Sequence, residues 1–304
     1  MEQENRTALI TGATGGLGFE LARRFANDNY SLVLVGRDEQ KLQAAARDLL
    51  GEFGTKVQII VEDLSTEGAA DRVAAEVEAR GIQVDALVND AGFGYGERFI
   101  DSDEQRQKDL VHVNVATLTE LCRKFAPGMV ERHSGAILNV ASIAGFMGGP
   151  FLSTYYASKA YVQTFTQALH AELRASGVHV TALCPGPVRT PFWKNADADK
   201  TLLAHLTARP QSVARAAYRA LRVNKTLCIP GIFPKIVVFL TRLVPRSWMA
   251  YCSGAMQYPG PRKKDKGGDG MEEEPQDQGQ DQGQDQGQEQ EQLGQTNQAA
   301  RTDV

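Results

Sequence analysis

Hydrophobic positions along this chain fall into two alternating patterns. Short, almost uninterrupted apolar runs occupy residues 8–11, 32–35, 57–61, 86–89, 136–141, 179–183 and 227–229. Between them, apolar residues recur every three or four positions over 19–27, 39–50, 69–80, 117–131, 155–176 and 212–223. A short apolar run is what a strand buried on both faces presents, and the three-to-four spacing belongs to a helix with one buried side. Their alternation predicts βα units, hence a parallel sheet with helices on both faces, doubly wound because the crossovers are right-handed. Ligands of such sheets sit beyond the carboxyl ends of the strands. The residues that follow each apolar run are therefore where chemistry is expected.

The first such place is Gly12-Ala13-Thr14-Gly15-Gly16-Leu17-Gly18, between the first run and the first helical stretch. Gly12 allows a tight turn, Gly16 lets backbone approach a pyrophosphate, and Gly18 permits close packing of helix on strand. Thr14 and Leu17 belong to the same cradle. A helix start directs unpaired N–H groups and a positive dipole end at phosphates, so this is a dinucleotide-binding opening. The second run ends in Val35-Gly36-Arg37-Asp38. An acidic side chain at that strand end would hold a ribose 2′-hydroxyl and select NAD. Gly36 cannot do so, Arg37 can pair with a 2′-phosphate, and Asp38 is explained as a helix cap. The expected cofactor is NADP(H) in preference to NAD(H).

Composition narrows the class. With 304 residues and 42% hydrophobic content, the chain can build one sizeable α/β domain. The net charge of −4 hides an asymmetry, because residues 271–304 carry nine acidic side chains and one arginine. Without them the 33 basic and 37 acidic residues become 32 and 28, a mildly basic body of +4 that suits an anionic cofactor. No concentrated basic stripe of a nucleic-acid binder is present. Cys122, Cys184, Cys228 and Cys252 show neither metal-ligand nor redox spacing, so no metal site is expected and a reducing cytoplasm is. The first strand begins near Thr7, which leaves no room for a signal peptide, and no apolar run is long enough to span a bilayer. Residues 236–240, flanked by Lys235 and Arg242, read as a core or lid helix, with a membrane-surface helix as the alternative. From Lys263 the composition turns to Gln-Asp-Gln-Gly copies. Residues 263–304 are therefore expected to be a disordered tail behind a domain of residues 1–262.

Tyr155 and Lys159 lie four apart in a helical stretch and so share a face. A unit charge ~4 Å from a phenol, at an effective dielectric of about 20, contributes roughly 4 kcal/mol. Lys159 is thus expected to draw the pKa of Tyr155 towards working pH, where a proton donor or acceptor is most effective. Tyr156 meets Ala160 instead and reads as packing or pocket wall. His112 has no partner and reads as structural.

Taken in order, Thr11-Gly12-x-x-x-Gly16-x-Gly18, Asn89-Asp90-Ala91-Gly92, Asn114, Ser142, Tyr155-x-x-x-Lys159 and Pro185-Gly186 resemble the motifs of the short-chain dehydrogenases/reductases. The likeness is close over residues 6–195 and looser over the next sixty or so. One position departs: Asp90 stands where the family has asparagine. The resemblance implies a single Rossmann-type domain that moves hydride between a nicotinamide and a carbonyl or alcohol. It implies Tyr155 as the acid that protonates the carbonyl oxygen, Ser142 as a donor to that oxygen, and Lys159 also bonded to the nicotinamide ribose. Asn114 would hold a water in the relay to Lys159. Asp63-Leu64 would meet the adenine, although Asp63 reads equally as a helix cap. Asn89, Ala91 and Gly92 would lie against the cofactor, and Pro185, Gly186, Val188 and Thr190 along its carboxamide.

Residues 191–258 would form the variable lid. They include Phe192, Trp193, Phe233, Phe239, Trp248, Met249, Tyr251 and Met256, which suit an apolar or acyl-like carbonyl, a dimer contact or ordinary core. The expected function is an NADP(H)-dependent carbonyl reductase acting on a small-molecule substrate and forming a homo-oligomer. The alternatives are an NAD-using alcohol dehydrogenase and a non-catalytic nucleotide-binding regulator. The intact Asn114, Ser142, Tyr155 and Lys159 argue against the last.

Overall fold

The computed structural model describes residues 6–190, 192 and 207–257; the tail from residue 263 and the lid residue Trp193 lie outside them. Seven parallel strands form one sheet in the order β3-β2-β1-β4-β5-β6-β7. They are β1 (Thr7–Thr11), β2 (Ser31–Gly36), β3 (Val57–Val61), β4 (Ala86–Asn89), β5 (Gly135–Val140), β6 (Val178–Leu183) and β7 (Leu227–Cys228). The strand order reverses at β1, which pairs Thr11 with Val35 of β2 on one side and with Asn89 of β4 on the other. In a doubly wound sheet that reversal opens a crevice above the strand ends.

Both faces are covered, as the uninterrupted apolar strands require. Helices α1 (Gly16–Asn27), α2 (Glu39–Phe53) and α7 (Pro210–Arg222) cover one face with Leu21, Phe25, Leu42, Leu49, Val213 and Leu221. Helices α3 (Ala69–Ala79), α5 (Leu118–Glu131) and α6 (Ser153–Leu173) cover the other with Val73, Val77, Leu121, Met129 and Val162. Each such large side chain contributes about 1.5–3 kcal/mol on full burial. Local signals set the ends: Asp38 caps α2 by accepting from the Lys41 N–H at 3.0 Å, and Gly54 closes it at φ 65.

Two parts of the fold remain. Helix α4 (Glu104–Val111) buries only Leu110 and runs into a π-helical turn, His112–Thr117, that holds Asn114. Helices α8 (Ile232–Leu240) and α9 (Arg246–Gln257) follow β7. The core reading of residues 236–240 is corrected: Val238 is buried, while Ile232, Phe233, Ile236, Phe239 and Leu240 are exposed. Among the described residues, no helix is long and apolar enough to cross a membrane.

Candidate functional site

The crevice is floored by two loops in contact. The Thr11 hydroxyl accepts the N–H groups of Asp90 (3.2 Å) and Ala91 (3.0 Å), tying the loop after β4 to the end of β1. Gly12 takes φ +72, and a Cβ there would lie 2.9 Å from the Ala91 nitrogen. A Cβ on Gly18 would lie 2.5 Å from the Gly12 carbonyl oxygen and 2.7 Å from Asp90 Oδ2. Only glycine fits either place, so the helix start is drawn down onto the strand end. Gly15, at the N-cap of α1, offers no side-chain cap, and a Cβ there would meet nothing within 4 Å. The Gly18 N–H goes to Asp90, so the N–H groups of Gly16 and Leu17 are those left to a ligand, and a glycine-floored helix start of this kind fits a pyrophosphate.

Beside it, a Cβ on Gly36 would lie 3.6 Å from Thr14 Cγ2, so Thr14 lines the wall towards the end of β2. Leu17 is buried beneath the turn. Arg37 is exposed and makes no ion pair among the described residues, whereas Asp38 is taken by its cap and by Lys41. Asp63 holds a local turn: its carboxylate accepts from the Ser65 N–H (3.0 Å) and hydroxyl (2.7 Å). The Ser65 N–H chiefly holds that carboxyl below its ordinary value, and the Ser65 hydroxyl and Arg37 guanidinium add to this. The Leu64 side chain is buried and its carbonyl accepts from Thr117 at 2.8 Å. The Asn89 side chain points into the core and donates to Asn139 Oδ1 at 2.9 Å, so any contact with a cofactor falls to its backbone.

Four candidate catalytic residues converge above these loops from three elements. Ser142 follows β5, Tyr155 and Lys159 lie on α6, and Asn114 sits in the π turn. The Tyr155 phenol is close enough to the Ser142 hydroxyl to be stabilised by it, and Ser142 Oγ accepts the Ala144 N–H at 3.1 Å. Lys159 is buried and donates to the Val140 carbonyl at 2.8 Å, its Nζ 5.8 Å from the Tyr155 ring centre. A Cβ on Gly92 would lie 2.8 Å from Asn114 Oδ1 and 3.5 Å from Lys159 Nζ, which places Gly92, Asn114 and Lys159 around one point. The π turn presents Asn114 inward, where Oδ1 accepts from the Phe93 N–H (3.1 Å) and Nδ2 donates to the Phe93 carbonyl (3.1 Å) and Ser158 Oγ (3.0 Å). Ser158 in turn donates to the Tyr155 carbonyl at 2.7 Å.

The electrostatics correct one expectation. Burial pushes the Tyr155 phenol above its ordinary value, and the relief comes from the Ser142 hydroxyl rather than from Lys159. Burial also brings the Lys159 ammonium down to about 8, against the pull of Asp90. An amine directed at the Val140 carbonyl does not lower the phenol as the one-turn spacing suggested. Asp90 is itself pushed up to about 7 by burial of its carboxylate, opposed by Lys159 and by the Gly18 N–H that donates to it.

Around this centre, Tyr156 is buried as a wall. It lies edge-on to Tyr155 with ring centres 6.1 Å apart, and its oxygen accepts from the Gln257 amide of α9. Phe192 lies 5.3 Å from the Tyr155 ring. The Pro185 carbonyl accepts from Ile143 N–H at 3.0 Å, and a Cβ on Gly186 would meet Pro234 of α8 at 2.7 Å. Val188 pairs with Ala208 in a short bridge, and Thr190 Oγ1 accepts from Phe192 N–H at 3.4 Å. Phe233, Phe239, Trp248 and Tyr251 are exposed. Ser158, the Phe93 backbone and the Asp90 carboxylate belong to the site although the sequence reading assigned them no role. Only Ser158 carried a signal, three residues after Tyr155 on one helix face. Buried Cys122 and Cys184 are thiols pushed up to about 12 by burial.

Comparison with known proteins agrees with this geometry. Residues 6–201 match the family model described as short chain dehydrogenase. A very-long-chain 3-oxoacyl-CoA reductase of Anas platyrhynchos is 35% identical over 235 residues, which is 74% of this chain and 72% of the relative. A short-chain dehydrogenase from Sphingobium yanoikuyae, solved in complex with NADPH, superposes with a TM-score of 0.70 at 30% identity, over 78% of this chain and 93% of that one. L-sorbose reductase from Gluconobacter frateurii, solved with NADPH and L-sorbose, gives a TM-score of 0.66 at 27% identity, over 74% and 94% of the two chains.

Proposed function

The chain belongs to the short-chain dehydrogenase/reductase family of NAD(P)-dependent oxidoreductases acting on carbonyl and alcohol groups, and from that premise we propose an NADP(H)-dependent reductase of ketones or acyl-type carbonyls. The observation that carries the proposal is the gathering of Tyr155, Ser142, Lys159 and Asn114 at one place above the glycine cradle, with Lys159 Nζ 5.8 Å from the Tyr155 ring centre.

A bound nicotinamide supplies hydride to the carbonyl carbon. The protein's part is to hold the oxygen and give it a proton. Ser142 Oγ and the Tyr155 hydroxyl donate to the same carbonyl oxygen and oppose the charge that grows there. A phenol raised by burial stays protonated at neutral pH, which suits it to the acid role in reduction. The carbon gains hydrogen and two electrons, the oxygen gains the Tyr155 proton, and the phenolate is reprotonated through the Lys159–Asn114 side of the site. With its ammonium brought to about 8, Lys159 can release and regain a proton near working pH.

Gly12, Gly16 and Gly18 would cradle the pyrophosphate, and Arg37 would meet a 2′-phosphate. The NADPH preference rests on Arg37 being exposed beside Gly36 and is supported by the two NADPH complexes among the similar structures. The acyl-type substrate is supported by the aromatic wall of Phe192 and Tyr156 and by the name of the 3-oxoacyl-CoA reductase relative. The test follows NADPH oxidation over a panel of ketones and 3-oxoacyl thioesters, with Tyr155→Phe alongside. Turnover should fall by about 10²–10⁴ in the variant while NADPH affinity stays within a few-fold. A variant as fast as the parent would refute the assignment.

A further inference from the structure

Helices α8 and α9 present their apolar residues to solvent. On α8 the exposed Ile232, Ile236 and Phe239 recur every three or four positions, and Leu243 continues the row just past the helix end. Ile232 is 78% exposed and Leu243 65%. The opposite side of α8 buries Val238. On α9, Trp248 is 66% and Tyr251 78% exposed, while Ser253 faces inward and donates to the Gly148 carbonyl at 2.6 Å. Each helix is therefore amphipathic with an extra, outward apolar stripe that the fold does not use. Rows of exposed apolar side chains on two successive helices mark an interaction site.

Charge says what covers it. Residues 207–257 contain eight cations (Arg209, Arg215, Arg219, Arg222, Lys225, Lys235, Arg242, Arg246) and neither aspartate nor glutamate. Lys235, Arg242 and Arg246 flank the apolar stripe and are exposed. A groove of about 730 Å³ between α7 and the start of α8 is lined by Arg219, Arg222, Lys225 and Lys235; of these, Arg222 is paired with Asp28. Exposed aliphatic and aromatic side chains ringed by cations, with tryptophan and tyrosine among them, match the depth profile of a bilayer interface whose headgroups are anionic. The chain's own C-terminal segment is a poor occupant: from Arg262 to Val304 its large apolar residues are Met271, Leu293 and Val304 alone.

We propose that the outer face of α8 and α9 is a peripheral docking surface for an anionic lipid bilayer. Ile236, Phe239, Leu243 and Trp248 enter the acyl boundary, and Lys235, Arg242 and Arg246 meet the headgroups. The inner side of the same two helices carries Gln257 and Pro234, which touch Tyr156 and Gly186, so the docked face backs onto the wall of the site.

The test is flotation of the full chain with vesicles of phosphatidylcholine containing phosphatidylglycerol, against phosphatidylcholine alone, with sedimentation mass and melting temperature measured in parallel. The parent should float with the anionic vesicles and be released by salt. Phe239→Glu and Trp248→Glu, both at exposed positions, should each lower partitioning by about tenfold or more without lowering the melting temperature. The double variant Arg242→Glu, Arg246→Glu leaves the apolar stripe intact and should lower it at least as far, since each lost cation is worth about fivefold. A parent that does not float, or variants that float like the parent, would overturn the proposal. So would a parent that stays in solution as an oligomer which Phe239→Glu splits, because the face would then join two copies of this chain.

Discussion

Asp90 stands where the family has asparagine, and Asp90→Asn measures what that departure does. The carboxylate lies under the glycine turn, accepts the Gly18 N–H, and has its pKa pushed from 3.8 to about 7. Between those values the folded protein holds a proton that the unfolded chain has released, so stability falls as pH rises across this window and stays low above it. At about 1.4 kcal/mol per pH unit the full effect is ~4 kcal/mol. The attraction of Lys159 is already contained in that shift. Asparagine keeps the shape and still accepts from Gly18, so the net expectation is a gain of up to ~4 kcal/mol at pH 8. That corresponds to about 8–16 °C in melting temperature. Melts followed by circular dichroism from pH 4 to 8.5 should show the variant pulling ahead between pH 4 and 7 and keeping a constant lead above. A lead that does not depend on pH, or a variant less stable than the parent at pH 8, would show that the carboxylate is not held protonated by burial.

Three other outcomes follow from particular contacts. Arg37→Ala should raise the Michaelis constant for NADPH far more than for NADH, and equal changes would remove Arg37 from the 2′-phosphate. Gly18→Ala forces a methyl against the Gly12 carbonyl and Asp90, so calorimetry should find a loss of about 1–3 kcal/mol and titration a weaker affinity for NADPH. Unchanged NADPH affinity would mean that the turn does not hold the pyrophosphate. Asn114→Ala strands the Phe93 N–H and carbonyl, which should lower the melting temperature by several degrees at about 1–3 kcal/mol per unsatisfied group; an unchanged melt would show that the Phe93 loop is held by something else.

The order of the fold and the nature of its opening were legible in residue pattern because both depend on local rules. A strand buried on both faces must be apolar between its ends, as β1 and β2 are. A turn that passes 2.9 Å from Ala91 must be glycine, so Gly12 announced itself. The cap at Asp38 was equally local. Where tertiary packing takes over, pattern fails. The spacing of Tyr155 and Lys159 told which face they share but not that the amine would turn to the Val140 carbonyl, since that carbonyl belongs to a separate element whose placement against α6 is tertiary. The π turn that aims Asn114 leaves no apolar repeat to follow, because its residues answer to Phe93 and Ser158 instead of a core.

What the chain determined by itself is therefore the doubly wound sheet, the glycine cradle and the residues that can do proton chemistry. The three-dimensional arrangement alone decided which of these groups meet, where their pKa values lie, and that α8 and α9 face outward. An apolar helix is the same string of residues whether it lies in a core or on a surface. Only its neighbours, brought together from distant parts of the chain, decide how much of it water can reach.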